Sequence, residues 1–114
     1  MTYRELNSFI ASFGLPYAYN EFPDDTPQEP PFVCFLLDSS SDFLADNTNF
    51  VKLRPLTIEL YTDIKDFTLE STIEAALTQG GFVYSRSETY LDSEHMNMVV
   101  FTTEVIITEE QNNG

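Results

Sequence analysis

The sequence predicts an α+β fold, in which a mostly antiparallel sheet of about four to five strands carries two helices packed on one face. Two kinds of observation lead to this prediction. Several short segments alternate apolar and polar side chains, as half-buried strands do, whereas two others repeat their apolar side chains at helical spacing. The order of these segments, with long connectors between some of them, favours antiparallel pairing over regular strand–helix–strand units.

The clearest strand lies in the middle of the chain. Apolar and polar side chains alternate from Leu56 to Tyr61, which is the period of a strand with one buried face. Pro55 comes immediately before, at the expected strand entrance, where a missing backbone N–H costs least. We therefore expect Leu56, Ile58 and Leu60 to face the core.

A helix is predicted directly after this strand. One apolar stripe at helical spacing contains Leu69, Ile73, Ala76 and Leu77. Glu70 and Glu74 lie off that stripe, so we expect them to point away from the core. The pair Gly80-Gly81 follows and supplies the left-handed conformation that commonly ends a helix.

The first part of the chain predicts a helix followed by a connector. Thr2 and Glu5 have the spacing of a capping box, and apolar residues at helical spacing follow, so we expect a helix over about residues 3–13. Residues 15–31 are rich in proline and predict an extended connector. Within this connector, residues 17–22 fit a short edge strand.

Three further segments predict strands. Phe32–Leu37 is apolar throughout, which favours a strand covered on both faces in the middle of the sheet. Residues 84–91 alternate and are followed by a polar turn at residues 92–95. Residues 96–107 are the most β-prone segment. Four of their side chains should face the core, namely Val99, Phe101, Val105 and Ile107.

Two segments are expected to extend beyond the packed domain. Residues 38–49 are rich in turn formers and lie between two strands, so they should form a long hairpin tip. Phe43 and Leu44 on this tip have two open interpretations, because they either fold back on the sheet or contact a neighbouring subunit. Residues 108–114 have nothing to bury and are expected to be a flexible tail after a single domain at 1–107.

The charge of the chain limits the classes of function. Nineteen acidic and five basic residues give a formal charge of −14, which argues against a protein that neutralises nucleic-acid phosphates. Three explanations of the acidity stay open: solubility, mimicry of nucleic acid, or a wall along which nucleic acid slides. The longest apolar segment is too short to cross a bilayer and the first residues lack the features of a signal peptide, so we expect no membrane association.

No convergent catalytic or metal-binding group is recognisable. Cys34 lies in an apolar segment and is expected to be a buried small hydrophobe, while His95 is expected to be an exposed turn residue. A hydrolase that uses both remains a distant alternative. Asp38, Asp42 and Asp46 recur every four residues, but this loop lacks the glycine and closing glutamate of a calcium loop. We therefore expect no enzyme activity, no cofactor and no bound metal.

Several segments share a spaced pattern with one family of viral proteins. They are Pro31–Phe35, Ala45–Asn47 with Phe50, Ile58–Thr62, Lys65-Asp66, Glu70, Ile73-Glu74, Leu77 and Glu88–Met96. In this pattern, which covers roughly residues 30–105, the chain resembles the tail terminator or tail completion family, the small neck proteins of long-tailed bacteriophages of Gram-positive hosts.

This resemblance implies a structural protein without a reaction. Six copies would form a ring that caps the tail tube and joins the tail to the head connector. The expected partners are other copies of the chain, the tail tube protein and the head–tail connector proteins, and DNA would pass through without specific binding. The expected location is the virion, with the host cytoplasm during assembly, and the isolated protein is expected to be monomeric.

The expected contacts with subunits or partners lie on the connector and the hairpin tip. The candidate residues are Tyr17, Tyr19, Asp42, Phe43, Leu44, Asp46, Asn47 and Phe50. Two alternatives to a tail terminator stay open: another neck, head-completion or tail tube protein, and an acidic inhibitor that mimics DNA.

Overall fold

The computed structural model of this chain describes residues 1–38 and 51–108. The elements in chain order are α1 (Tyr3–Ala11), β1 (Tyr17–Tyr19), β2 (Phe32–Leu37), β3 (Val51–Thr62), α2 (Phe67–Gln79), β4 (Ser85–Leu91) and β5 (Met96–Thr108). The strands form one sheet in the order β1-β2-β3-β5-β4. Strand β1 is parallel to β2 and the other pairs are antiparallel, so the α+β prediction is confirmed.

The hydrophobic core lies between the two helices and one face of the sheet. Leu56, Ile58 and Leu60 of β3 are fully buried, as the alternation predicts. They join a single cluster with Leu6 and Ile10 of α1, Ile73 and Leu77 of α2, and Val99, Phe101, Val105 and Ile107 of β5. Burying one such side chain contributes about 1.5–3 kcal/mol, so this face accounts for most of the stabilisation of the fold.

Both helix starts use the capping side chains that the sequence offers. The Thr2 hydroxyl accepts from the Glu5 backbone N–H at 3.1 Å, and the Glu5 carboxylate accepts from the Thr2 N–H at 2.8 Å. Asp66 caps α2 by accepting from the Leu69 N–H at 3.0 Å. Gly81 follows α2 with φ +81°, a conformation that glycine adopts without strain. These caps confirm the predicted helix starts, although α1 ends at Ala11 rather than near residue 13.

The position predicted for β2 is confirmed only in part, because β2 is an interior strand but not the central one, and Cys34 is buried on the face away from the helices whereas Leu36 is not. We expected this apolar strand to lie in the middle of the sheet with both faces covered, but it is next to the edge strand β1, and β3 is central. On the face away from the helices, Leu36 is 38% exposed, whereas Val33, Phe35 and Leu37 are buried on the helix side. An apolar segment therefore identified the strand without establishing that both of its faces are covered.

Pro55 lies inside β3 rather than at its entrance. Its carbonyl accepts from the Asp38 N–H at 2.9 Å, so its backbone turns toward the side of β2. Proline has no N–H to return to the Asp38 carbonyl, and the Arg54 Nε donates to that carbonyl instead at 2.8 Å. Because a neighbouring side chain supplies the missing donor, β3 continues through the proline.

Two further predictions concern residues that lie wholly or mostly outside the described segments. Residues 39–50, which hold nearly all of the predicted hairpin tip, lie outside the described residues. Thr108, where we expected the tail to begin, is the last residue of β5, and the remainder of the predicted tail also lies outside the description. No helix in residues 1–38 or 51–108 has the length and apolar character needed to span a membrane.

Candidate functional site

Only two of the predicted contact residues lie in the described part of the chain. Asp42, Phe43, Leu44, Asp46, Asn47 and Phe50 lie outside it, so their predicted role stays a prediction. Tyr17 and Tyr19 lie on β1, at one edge of the sheet, and both pair with β2 residues that face the helices. The structure therefore places these two side chains on the same face of an edge strand.

Tyr19 has a structural role beyond the predicted contact. Its hydroxyl accepts from the Leu37 N–H at 3.1 Å and donates to the Leu37 carbonyl at 3.2 Å. The hydroxyl thus provides hydrogen-bond partners for the backbone groups of β2 that lie beyond the end of β1. The Tyr19 ring packs edge-on against Phe35 at 5.3 Å between centroids, yet half of the side chain remains exposed.

A charged cluster joins α2 to β4 and contradicts one prediction. Glu70, expected to point away from the core, is only 2% exposed. Its Oε1 accepts from Arg86 Nη2, and Lys65 Nζ lies 2.9 Å from its Oε2. Glu70, Ile73 and Leu77 have the i, i+3, i+7 spacing of one helix face, so the buried stripe is centred there. This spacing could have predicted the burial of Glu70, but the predicted stripe included only apolar residues.

The half-buried Glu74 and the exposed Glu88 complete this cluster. Glu88 on β4 contacts Lys65 at 2.9 Å and Arg86 at 3.1 Å, and Glu74 lies 3.6 Å from Arg86. The hydrogen bond from Lys65, helped by the charge of Arg86, lowers the pKa of Glu88. The hydrogen bonds to Glu70 and Glu88 raise the pKa of Lys65. The cluster thus holds the edge strand β4 to the helix layer through paired charges.

The ion pairs leave most of the acidity unneutralised. Among the described residues, only three carboxylates form ion pairs, namely Glu70, Glu74 and Glu88. A third basic residue, Arg54, is bonded to the Asp38 carbonyl and to the Tyr3 hydroxyl. Three of the five basic side chains are therefore engaged within the fold, and the exposed carboxylates give the described surface a strongly negative potential.

The face of the sheet opposite the helices holds a small aromatic cluster. Phe22 of the connector packs edge-on against Phe32 at 5.3 Å, and Phe32 stacks on Tyr61 at 4.8 Å between centroids. The Tyr61 hydroxyl donates to Glu59 Oε1 at 2.8 Å. Burial and this bond raise the pKa of Tyr61.

Cys34 lies on this same face and is 4% exposed. Burial, together with the negative charges of Glu59 and Glu21, raises the pKa of the Cys34 thiol to about 11. A thiol with such a pKa is neutral at physiological pH and is a poor nucleophile. His95, the other residue of the hydrolase alternative, lies in the exposed turn between β4 and β5 with φ +54°.

The structure has a groove beside the start of β4 that the sequence did not predict. It has a volume of about 700 Å³ and lies where β5 continues past the first residue of β4. Its lining includes Leu53, Pro55, Phe82, Tyr84 and Glu104. The lining comes from three distant segments, so no local pattern in the sequence signals it.

In the described segments 1–38 and 51–108, no group of three His, Cys, Asp or Glu residues is placed to hold a metal ion.

Comparisons with known proteins give no family for this chain. No protein-family model matches the sequence, and no curated protein matches it. The spaced pattern of residues 30–105 therefore stands as a resemblance, and function is argued from the residues and the surfaces described above.

Proposed function

We propose that this protein is a structural component of the neck of a long-tailed bacteriophage. In this proposal, copies of the chain form a ring that caps the tail tube and gives the head connector a surface on which to dock. The protein acts by contact with its neighbours and catalyses no reaction. DNA passes through the ring during ejection without specific binding.

The proposal rests on one observation: several residues of the pattern that resembles the tail terminator family lie close together in the fold. Lys65, Glu70, Glu74 and Glu88 all belong to the residues on which the resemblance rests, and they meet in the charged cluster between α2 and β4. Asp66, from the same pattern, caps α2. Lys65, Glu70 and Glu74 are close in sequence, so the supporting contact is that of Glu88 from β4 with Lys65 at 2.9 Å, which joins two separate parts of the pattern.

The charge of the described surface also favours this role. A passage for DNA that carried basic side chains would hold the phosphates, since phosphate neutralisation drives non-specific binding. The ion pairs seen within the described residues involve only three carboxylates, and the chain as a whole has a formal charge of −14. An acidic wall would repel the phosphates and let the DNA slide.

Electron microscopy of virions made without the protein tests the proposal. A phage with the gene deleted should give filled heads and separate tails of irregular length, and wild-type protein supplied in trans should restore joined particles. Tails joined normally without the protein would contradict the proposal. Heads that leak DNA beside tails of normal length would instead indicate a head-completion protein.

The acidic surface supports a second candidate, an inhibitor that mimics DNA. Such a protein should retain a DNA-binding enzyme from a host lysate at low salt and release it at high salt, because exposed charge pairs are screened within about 10 Å at 0.1 M salt. Retention of that kind, with no defect in particles lacking the protein, would favour the inhibitor over the neck component.

A further inference from the structure

Strand β4 has outer backbone groups that are free of partners in the described residues. At the far end of β5, the Ile106 carbonyl accepts from the Met1 amino group at 2.7 Å, and the Thr108 N–H donates to the Met1 carbonyl at 2.9 Å. These groups lie on the side of β5 away from β3, so the even-numbered residues of β5 turn toward β4. In an antiparallel ladder the groups alternate, so three residues of β4 turn their N–H and C=O outward, namely Arg86, Glu88 and Tyr90.

The opposite edge of the sheet is the short strand β1. The Val33 N–H donates to the Pro16 carbonyl at 2.9 Å, and the Asn20 N–H donates to the Phe35 carbonyl at 2.8 Å. Even-numbered residues of this segment therefore turn toward β2. The backbone of Tyr17 and the N–H of Tyr19 turn outward, and they have no backbone partner within the described residues.

The two edges run in opposite directions because β1 is parallel to β2. Three antiparallel steps lead from β2 through β3 and β5 to β4, so β4 runs opposite to β2 and hence opposite to β1. Copies that stand side by side in one orientation therefore bring β4 of one copy beside β1 of the next as an antiparallel pair. Such a head-to-tail contact uses two different surfaces and closes into a ring when the rotation between copies allows it.

The side chains at these edges suit the pairing. Tyr17 and Tyr19 lie on the helix-side face of β1, and Arg86 and Tyr90 lie on the helix-side face of β4. Tyr19 and Tyr90 are each 51% exposed, so a joined sheet would place two exposed aromatic rings on one face, where cross-strand aromatic contacts are favourable.

We propose that the outer edge of β4 pairs with the outer edge of β1 in a second copy of this chain, so that the sheets of neighbouring protomers become continuous. This inference rests on the ring proposed above and names its subunit contact. It matches the general mode of association in which an extended strand adds to an open sheet edge. Because each copy carries a charge of −14, the contact should strengthen as salt screens the repulsion.

Disulfide cross-linking tests which edges meet. Ala18 and Thr89 lie on the face opposite the helices, and both turn their backbone groups inward, so each would occupy a non-hydrogen-bonded position across the new contact. Such positions bring Cα atoms to about 4.5 Å, within the range for a disulfide. We would purify Ala18→Cys, Thr89→Cys and the register variant Ser87→Cys, and oxidise them alone and in pairs, both in solution at rising salt and in assembled particles.

The expected result is a covalent dimer only when Ala18→Cys is mixed with one of the β4 variants. The unsubstituted protein is the control for Cys34. Self-cross-linking of Thr89→Cys or Ser87→Cys, without the mixed product, would replace the inference by a symmetric β4 contact. Particles that contain the ring but yield no mixed dimer in either register would overturn the inference and leave the neck function standing. Particles that never contain the protein would overturn the neck function itself.

A proline variant tests the backbone contact independently. Tyr90→Pro removes an outward N–H and leaves the ladder to β5 intact, so the fold should persist while association weakens by about tenfold per contact, as for the loss of about one hydrogen bond. Tyr90→Ala is the matched control that removes the ring and keeps the N–H. Because the isolated protein is expected to be monomeric, association is measured as incorporation into assembled particles, and equal incorporation of Tyr90→Pro and Tyr90→Ala would contradict the inference.

Discussion

Replacement of Glu70 by glutamine should destabilise the fold more than any other single change in the charged cluster. Glu70→Gln keeps the size of the side chain and removes its charge. Its carboxylate is 3% exposed and contacts both Lys65 and Arg86. The two cations would then face a neutral amide at the boundary between α2 and β4, and β4 would lose its main attachment to the helix layer.

The expected magnitude follows from the burial of the three groups. Breaking a fully buried ion pair by removing one partner costs about 3–5 kcal/mol. Here the side chains of Lys65 and Arg86 are 26% and 31% exposed, and both keep their contacts with Glu88, so solvent and Glu88 compensate for part of the loss. We therefore expect a loss of about 2 kcal/mol in the free energy of unfolding, and a decrease in Tm of about 10 °C for a domain of this size.

The assay is urea unfolding at pH 7, followed by circular dichroism, with Glu74→Gln as the matched control. Glu74 is on the same helix, but its side chain is 32% exposed and lies 3.6 Å from Arg86. The Tyr84 hydroxyl donates to Glu74 Oε1 at 2.7 Å, and a glutamine oxygen can still accept that bond, so Glu74→Gln should cost about 0.5 kcal/mol or less. Equal destabilisation by the two variants would refute the argument from burial. Unchanged stability of Glu70→Gln would show that the ion pair does not hold β4 to the helix layer.

Three further predictions follow from single contacts. Cys34, buried and with its pKa raised to about 11, should react with a thiol reagent at pH 8 only as fast as the protein unfolds, and rapid reaction in native buffer would contradict its placement. The lowered pKa of Glu88 gives stability that is present above its ordinary value of 4.5 and is lost as the pH falls through the lower folded value, so Glu88→Gln should flatten the acid side of the stability curve. Tyr19→Phe should cost about 1 kcal/mol in urea unfolding because Leu37 loses both hydrogen bonds, whereas Tyr90→Phe should be close to neutral.

The sequence predicted best the parts of the fold in which one face is buried. In β3 and β5 the side-chain period of two leaves a single choice of buried face, so Leu56, Ile58, Phe101 and Val105 were assigned correctly. The cap of α1 was equally readable, because Thr2 with Glu5 is a local signal whose partners lie within one turn.

The features that the sequence did not predict depend on contacts between distant segments. The burial of Glu70 needs Arg86 from β4, and the continuation of β3 through Pro55 needs the Arg54 side chain to reach the Asp38 carbonyl. The helical spacing of Glu70 with Ile73 and Leu77 indicates the buried face, but no local pattern in the sequence identifies the distant partner in either contact. The parallel pairing of β1 with β2 has the same cause, since a three-residue strand after a proline carries no signal for its direction.

The distribution of charge links the fold to the proposed assembly. Arg54, Lys65 and Arg86 are bonded within the protomer, where they hold β4 and the end of β2 in place, and the charges of Lys65 and Arg86 are paired with that of Glu70. Because a protomer of charge −14 repels its own copies at long range, the proposed ring relies on short-range backbone and aromatic contacts at the sheet edges. The same repulsion would keep DNA phosphates from adhering to a finished ring. In this proposal, the internal bonds of the three basic side chains stabilise the protomer, and they also reduce its attraction for DNA.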